Sequence, residues 1–100
     1  MAHTELKEQT KLRVAEPPMF KVIYLNDEVT TVEFVMASLM EVFHYAPSTA
    51  EQITWDIHEN GAAVVAVLPY ELAEQKGSEV LVSARSKQYP LQVKLEPDMS

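Results

Sequence analysis

Two seven-residue runs, MFKVIYL at 19–25 and AAVVAVL at 62–68, constrain this chain more than any other feature. Both are rich in β-branched residues, and each is too short for an ordinary helix that buries a stripe, so each is predicted as a strand. The first is apolar nearly throughout, which places it centrally or under cover on both faces. Alternating Leu91, Val93 and Leu95, with Gln92 and Lys94 between them, predict a third strand with one wet face. Helical patterns fill the intervals. Thr30-Thr31-Val32-Glu33 reads as a capping box that opens a helix over about 31–44, with Val32, Val35, Met36, Leu39, Val42 and Phe43 on its apolar side. Ser48 with Glu51 reads as a second box. The helix it opens carries Ala50, Ile53 and Ile57 inward and stops near Glu59, where Asn60-Gly61 supplies a left-handed cap. Pro69 suits the first turn of a third helix striped by Leu72, Ala73, Val80, Leu81 and Ala84, with Gly77 in its middle. The order is βααβαβ, and the expected fold class is α+β: a two-layer sandwich of a three-stranded antiparallel sheet and three helices.

One domain exhausts 100 residues. Residues 1–18 mix both charge signs with few large apolar groups and end in Pro17-Pro18, so they are expected to be a flexible tail before a domain over 19–96, with a short tail at 97–100. Fifteen acids against eight bases give a net charge of −7, which opposes nucleic-acid binding by phosphate neutralisation and docking on anionic lipid. No apolar run approaches the ~20 residues of a membrane span, and the N-terminal MAHTELKEQT lacks the apolar stretch of a signal peptide. The expected location is the cytoplasm. With no cysteine there is no disulfide, thiol nucleophile or cysteine zinc site.

The chemistry-bearing residues are few. Two glycines rule out a glycine-rich phosphate loop, and no His-Glu-x-x-His or Gly-x-Ser-x-Gly occurs. Of the three histidines, His3 lies in the tail and His44 is accounted for by the dipole at the end of the first helix. His58 borders the buried stripe of the second helix. Asn26-Asp27-Glu28 fits an ordinary strand-to-helix turn, whose side chains bond nearby backbone and whose charge favours a helix N-terminus. An acidic, amide-bearing rim beside the apolar Val32 and Val35 would also suit a ligand with a cationic end and an apolar side chain.

These residues carry a resemblance. Val22-Ile23 with Asn26-Asp27-Glu28, Thr30 with Glu33-Phe34-Val35, Ile57-His58 with Gly61, Glu71-x-Ala73-Glu74-x-Lys76 and Pro90-Leu91 fall in the order typical of the ClpS adaptor family of the bacterial N-end rule. The chain resembles that family over 18–96, and the family's fold agrees with the order read from the elements.

The resemblance implies an adaptor and not an enzyme. It implies capture of a free N-terminus whose first residue is Leu, Phe, Tyr or Trp, and delivery to a Clp-type AAA+ unfoldase of the ClpA or ClpC type through its N-domain. Carried over by position, Asn26, Asp27 and His58 would grip the α-amino group. Thr30, Val32, Val35, Leu39, Thr54, Ile57 and Leu91 would line the side-chain pocket, with Glu28 at its rim. Glu71 and Lys76 would face the unfoldase, and the tail would act during hand-off. No cofactor or metal is implied, and a monomer is expected.

The chemistry of the implied ligand agrees with these types. An α-amino group is largely a cation near neutrality, and Asp27, the Asn26 oxygen and a neutral His58 are acceptors. Charge-assisted hydrogen bonds contribute roughly 1.5–3 kcal/mol each and burial of one Leu or Phe about as much, which is consistent with micromolar affinity, about −8 kcal/mol. Val32 stands where the family commonly has Met, and is expected to widen the pocket mouth and weaken exclusion of Ile or Val. Thr31 stands where Pro is frequent and is expected to loosen the loop; Glu28 replaces the more frequent Asp.

Two other classes stand against this reading. One is a general interaction module of the ribosomal-stalk C-terminal type, which has a similar architecture and needs no amino-group pocket. The other is a small acid–base enzyme or metal site built on His58 with Asp27, Glu28 or Asp56, for which one histidine with carboxylates is a poor donor set.

Overall fold

The computed structural model describes residues 17–99. The chain runs β1 (Met19–Leu25), α1 (Val32–Glu41), α2 (Pro47–Asn60), β2 (Ala62–Pro69), α3 (Tyr70–Ser86) and β3 (Gln92–Pro97). This is the expected βααβαβ order. The first sixteen positions of the expected tail lie outside the described residues.

β1 is the central strand, paired antiparallel with β2 on one side and β3 on the other. Its backbone groups are paired on both edges, and its side chains alternate between a buried and a half-buried face at Val22 to Leu25. Val22 and Tyr24 point to the helical layer and are fully buried. On β2 the register slips between Val22 and Ile23, whose partners are Ala66 and Val64, so Val65 bulges and is buried. After β3, the Asp98 N–H donates to the Met19 carbonyl at 2.8 Å, which carries the pairing past the expected boundary at 96.

The helical layer covers one face. α1 buries Phe34, Val35, Ser38 and Leu39; α2 buries Ala50, Thr54 and Ile57; α3 buries Ala73, Gly77, Val80 and Ala84. The inward stripe of α1 is shifted from the expected one: Phe34 is buried, whereas Val32 is 40% exposed. Ser38 is a polar residue in this core and is fully satisfied. Its hydroxyl donates to the Val35 carbonyl at 2.8 Å, so the Tyr24 phenol donates to Ser38 Oγ at 2.7 Å. Burial drives the Tyr24 phenol well above its ordinary value despite that hydrogen bond.

Three helix ends differ from the expectations. The cap of α1 is Thr31 and not Thr30; the Phe34 N–H donates to Thr31 Oγ1 at 3.1 Å. Thr31 thus fastens the helix start, its hydroxyl serving as partner to an otherwise unpaired N–H. The Ser48–Glu51 box does not form. Pro47 occupies the first turn of α2 and Ala46 precedes it without a side-chain cap, since Pro removes one unpaired N–H and presets the helical φ. α1 stops at Glu41, and His44 lies beyond it in the turn, exposed and at φ 63°, so the helix-end reading of His44 does not hold. Gly61 does form the left-handed cap of α2, at φ 83°, with its N–H on the Ile57 carbonyl at 3.0 Å.

Gly77 faces β3, but the approach is not tight. A Cβ added there meets Val93 Cγ1 at 3.6 Å, an ordinary contact. Gly77→Ala is therefore expected to stabilise the domain by about 0.5–1 kcal/mol through helix propensity. A higher urea midpoint at unchanged slope is the expected reading; a lower midpoint would show that α3 and β3 cannot admit a methyl group.

Candidate functional site

The turn from β1 to α1 is built by Asp27. One carboxylate oxygen accepts the N–H groups of Val29 at 2.8 Å and Thr30 at 2.6 Å; the other accepts the Thr30 hydroxyl at 2.8 Å. Asp27 thereby folds residues 26–30 into a compact loop, which is why Thr30 is not free to cap α1. Partial burial is the largest influence on the Asp27 carboxyl and pushes it up. The Thr30 and Val29 N–H groups, the Thr30 hydroxyl and the Arg85 guanidinium together outweigh it, so the carboxyl lies below its ordinary value. Asp27 is an anion at neutral pH, with one lone pair of the second oxygen left for another donor.

A backbone bond joins this loop to α2. The Asn26 N–H donates to the Gly61 carbonyl at 2.9 Å, directly after the last turn of α2, where His58 sits. Asn26 and His58 are both exposed and Asp27 is half-buried. Val35, Leu39, Ile57 and Leu91 are buried in the common core. Thr54 belongs with them: its hydroxyl donates to the Ala50 carbonyl at 2.7 Å, which leaves its methyl as what it offers to neighbours. Thr30 is half-buried, and Val32 and Glu28 are exposed at the opening turn of α1 and the loop before it. Of the expected pocket residues, Val35, Leu39, Thr54, Ile57 and Leu91 are buried, whereas Thr30 and Val32 lie outside the core.

Glu71 and Lys76 differ in placement. Glu71 is exposed in the first turn of α3. Lys76 is half-buried, and its ammonium donates to the Val42 carbonyl at 2.8 Å and lies 5.9 Å from the Phe43 ring centroid. A cation there satisfies the end of α1 and fastens α3 to the α1–α2 turn. A cleft of about 490 Å³ opens between α1 and α3, lined by Phe34, Val42, Val80 and Tyr89 with Glu33 and Lys87 among its polar groups. It contains none of Asn26, Asp27 or His58, and no sequence signal pointed to it. Among the described residues no three His, Asp or Glu side chains converge on a metal position, and no helix is long and apolar enough to cross a membrane.

Fold and loop together define a small domain of the two-layer α+β type, with an anionic turn at one end of its central strand. The family pattern described as ATP-dependent Clp protease adaptor protein ClpS matches residues 15–94. The ClpS adapter of Campylobacter jejuni is 42% identical over 98 residues, covering 98% of this chain and all of that protein. The Myxococcus xanthus ClpS adapter is 41% identical over 88 residues, 88% of this chain and 82% of that one. Among solved structures, Agrobacterium tumefaciens ClpS2 bound to L-phenylalaninamide superposes with a TM-score of 0.80 at 34% identity, covering 83% of this chain and 100% of that chain. The chain belongs to the ClpS family of Clp protease adaptors.

Proposed function

We propose that this adaptor captures proteins by a free α-amino group and a large apolar first residue (Leu, Phe, Tyr or Trp) and hands them to a Clp-type unfoldase. The observation that carries the reading is the ionised Asp27 loop pinned through Asn26 to the end of α2, beside buried apolar side chains. An ammonium group offers three donors; Asp27, the Asn26 side-chain oxygen and a neutral His58 ring supply three acceptors. Val35, Leu39, Thr54, Ile57 and Leu91 form the apolar floor, Thr30 and Val32 its mouth, and Glu28 its rim. L-Phenylalaninamide, the ligand of the Agrobacterium relative, carries both halves of that chemistry: a free amine and an aromatic first side chain. Neither half suffices alone, so selectivity needs both.

The unfoldase contact is proposed on the exposed start of α3 at Glu71, bordered by Lys76, whose ammonium is turned inward to Val42. The partner is an N-domain of the ClpA or ClpC type, the adaptor works as a monomer, and the compartment is the cytoplasm.

Fluorescence anisotropy over peptides differing only in the first residue tests the reading. Phe, Leu, Tyr and Trp peptides are expected to bind at least about tenfold tighter than an Ala peptide, the value of burying one large side chain. Equal binding of the Ala peptide would defeat the pocket. Because Val32 is short, Ile and Val peptides are expected between the two groups; if they bind no better than Ala, the wider mouth is refuted.

A further inference from the structure

Of the five side chains proposed as the pocket floor, Val35, Leu39, Ile57 and Leu91 are hydrocarbon, and Thr54 alone carries a polar atom. Thr54 is 4% exposed, and its hydroxyl donates to the Ala50 carbonyl at 2.7 Å. That bond uses its one hydrogen. Beyond the methyl group, the oxygen keeps two lone pairs, and no N–H or O–H of the described residues donates to them. The same core shows what such an oxygen takes. Ser38 likewise turns its hydrogen back onto its own helix, to the Val35 carbonyl at 2.8 Å, and its oxygen accepts the Tyr24 phenol at 2.7 Å. Thr54 repeats that arrangement on the neighbouring helix without a phenol to fill it.

We infer that Thr54 makes the pocket prefer Tyr over Phe as the first residue of the captured protein, its oxygen accepting the phenol hydrogen. This rests on the reading that His58 receives the α-amino group and that the first side chain enters beside α2. Thr54 lies four residues before His58, one turn away on the same face of α2. His58 is exposed and Thr54 buried, so that face passes from water into the core within the turn. A turn rises about 5.4 Å, close to the length of an aromatic side chain, so a ring whose amine is held at His58 carries its far end to the level of Thr54. A phenol arriving there exchanges its bond to water for one to Thr54, whereas Phe leaves the oxygen without a donor. The Thr54 hydrogen is already committed to Ala50, so the preference is for a donor at the tip of the ring.

The test uses the full chain and three peptides that begin with Tyr, Phe or Ala and are otherwise identical, with affinity read by anisotropy. Tyr is expected to bind about two- to tenfold tighter than Phe, the range of one neutral hydrogen bond. In Thr54→Val, which keeps the shape and loses the oxygen, the Tyr-to-Phe ratio is expected to fall to one or below, because a buried phenol then lacks a partner. Thr54→Ser retains the oxygen and is expected to retain the preference for Tyr. Taking the ratio within each protein cancels any general change in affinity or stability. A ratio of one or less in the unaltered protein, with both peptides tighter than Ala, overturns the inference and leaves the pocket reading in place. A ratio that survives in Thr54→Val overturns it too, because another acceptor then holds the phenol. Tyr and Phe peptides binding no better than Ala would overturn the pocket reading and this preference with it.

Discussion

Asp27→Asn is expected to weaken capture of a Phe-initiated peptide by about ten- to hundredfold, the value of one charge-assisted hydrogen bond between an ammonium and a carboxylate. The substitution separates the two tasks of Asp27. An Asn oxygen still accepts the Val29 and Thr30 N–H groups, so the loop keeps its main braces; only the bond from the Thr30 hydroxyl and the negative charge are lost. Thermal denaturation should show a decrease in Tm of no more than about 5 °C. Affinity within twofold of the parent would remove Asp27 from the site. The pH dependence follows from the same bonds. The Asp27 carboxyl lies lower in the folded protein than in the unfolded chain, so the stability it contributes is full above the unfolded value and is lost as pH falls through the folded one. The Asn variant lacks that part of the acid-side decline.

Leu39→Ala carries the second large effect, on stability. Leu39 is fully buried in the core shared by α1 and β1, and truncation leaves a cavity that rigid neighbours cannot close. A cost of about 2–5 kcal/mol is expected. In a domain of this size that is a large share of a total of roughly 5–15 kcal/mol, so urea unfolding should shift clearly to lower midpoint. Val32→Ala, at a position 40% exposed, is the control and should cost less than about 1 kcal/mol. A Leu39→Ala cost as small as that of the control would mean that α1 is not anchored on the sheet as described.

The strands were legible because short β-branched runs bounded by Asn26 and Gly61 leave few alternatives. The helix caps were less so. Thr30 and Thr31 both offer a hydroxyl to the start of α1, and the choice falls to Thr31 only because Asp27 takes the hydroxyl of Thr30. Two local hydrogen bonds of similar energy cannot be ranked from spacing alone. Ser48 lost its expected role to Pro47 for an equally local reason. Lys76 illustrates a different limit: its partner carbonyl is 34 positions away, and no pattern in the neighbouring sequence encodes it. For the candidate site, residue types alone led as far as an acidic rim near an apolar wall. Grouping Asn26 and Asp27 with His58 came from the family resemblance; the Asn26–Gly61 bond ties the loop to the end of α2.

Binding of one Phe-initiated peptide, with its amino group free and again acetylated, tests the central claim most directly. Acetylation removes the charge and most of the donors while leaving the aromatic side chain untouched. At least a tenfold loss of affinity is expected, from one or more charge-assisted hydrogen bonds of about 1.5–3 kcal/mol. Equal affinity of the two peptides would mean that the loop at Asn26 and Asp27 does not hold a chain terminus.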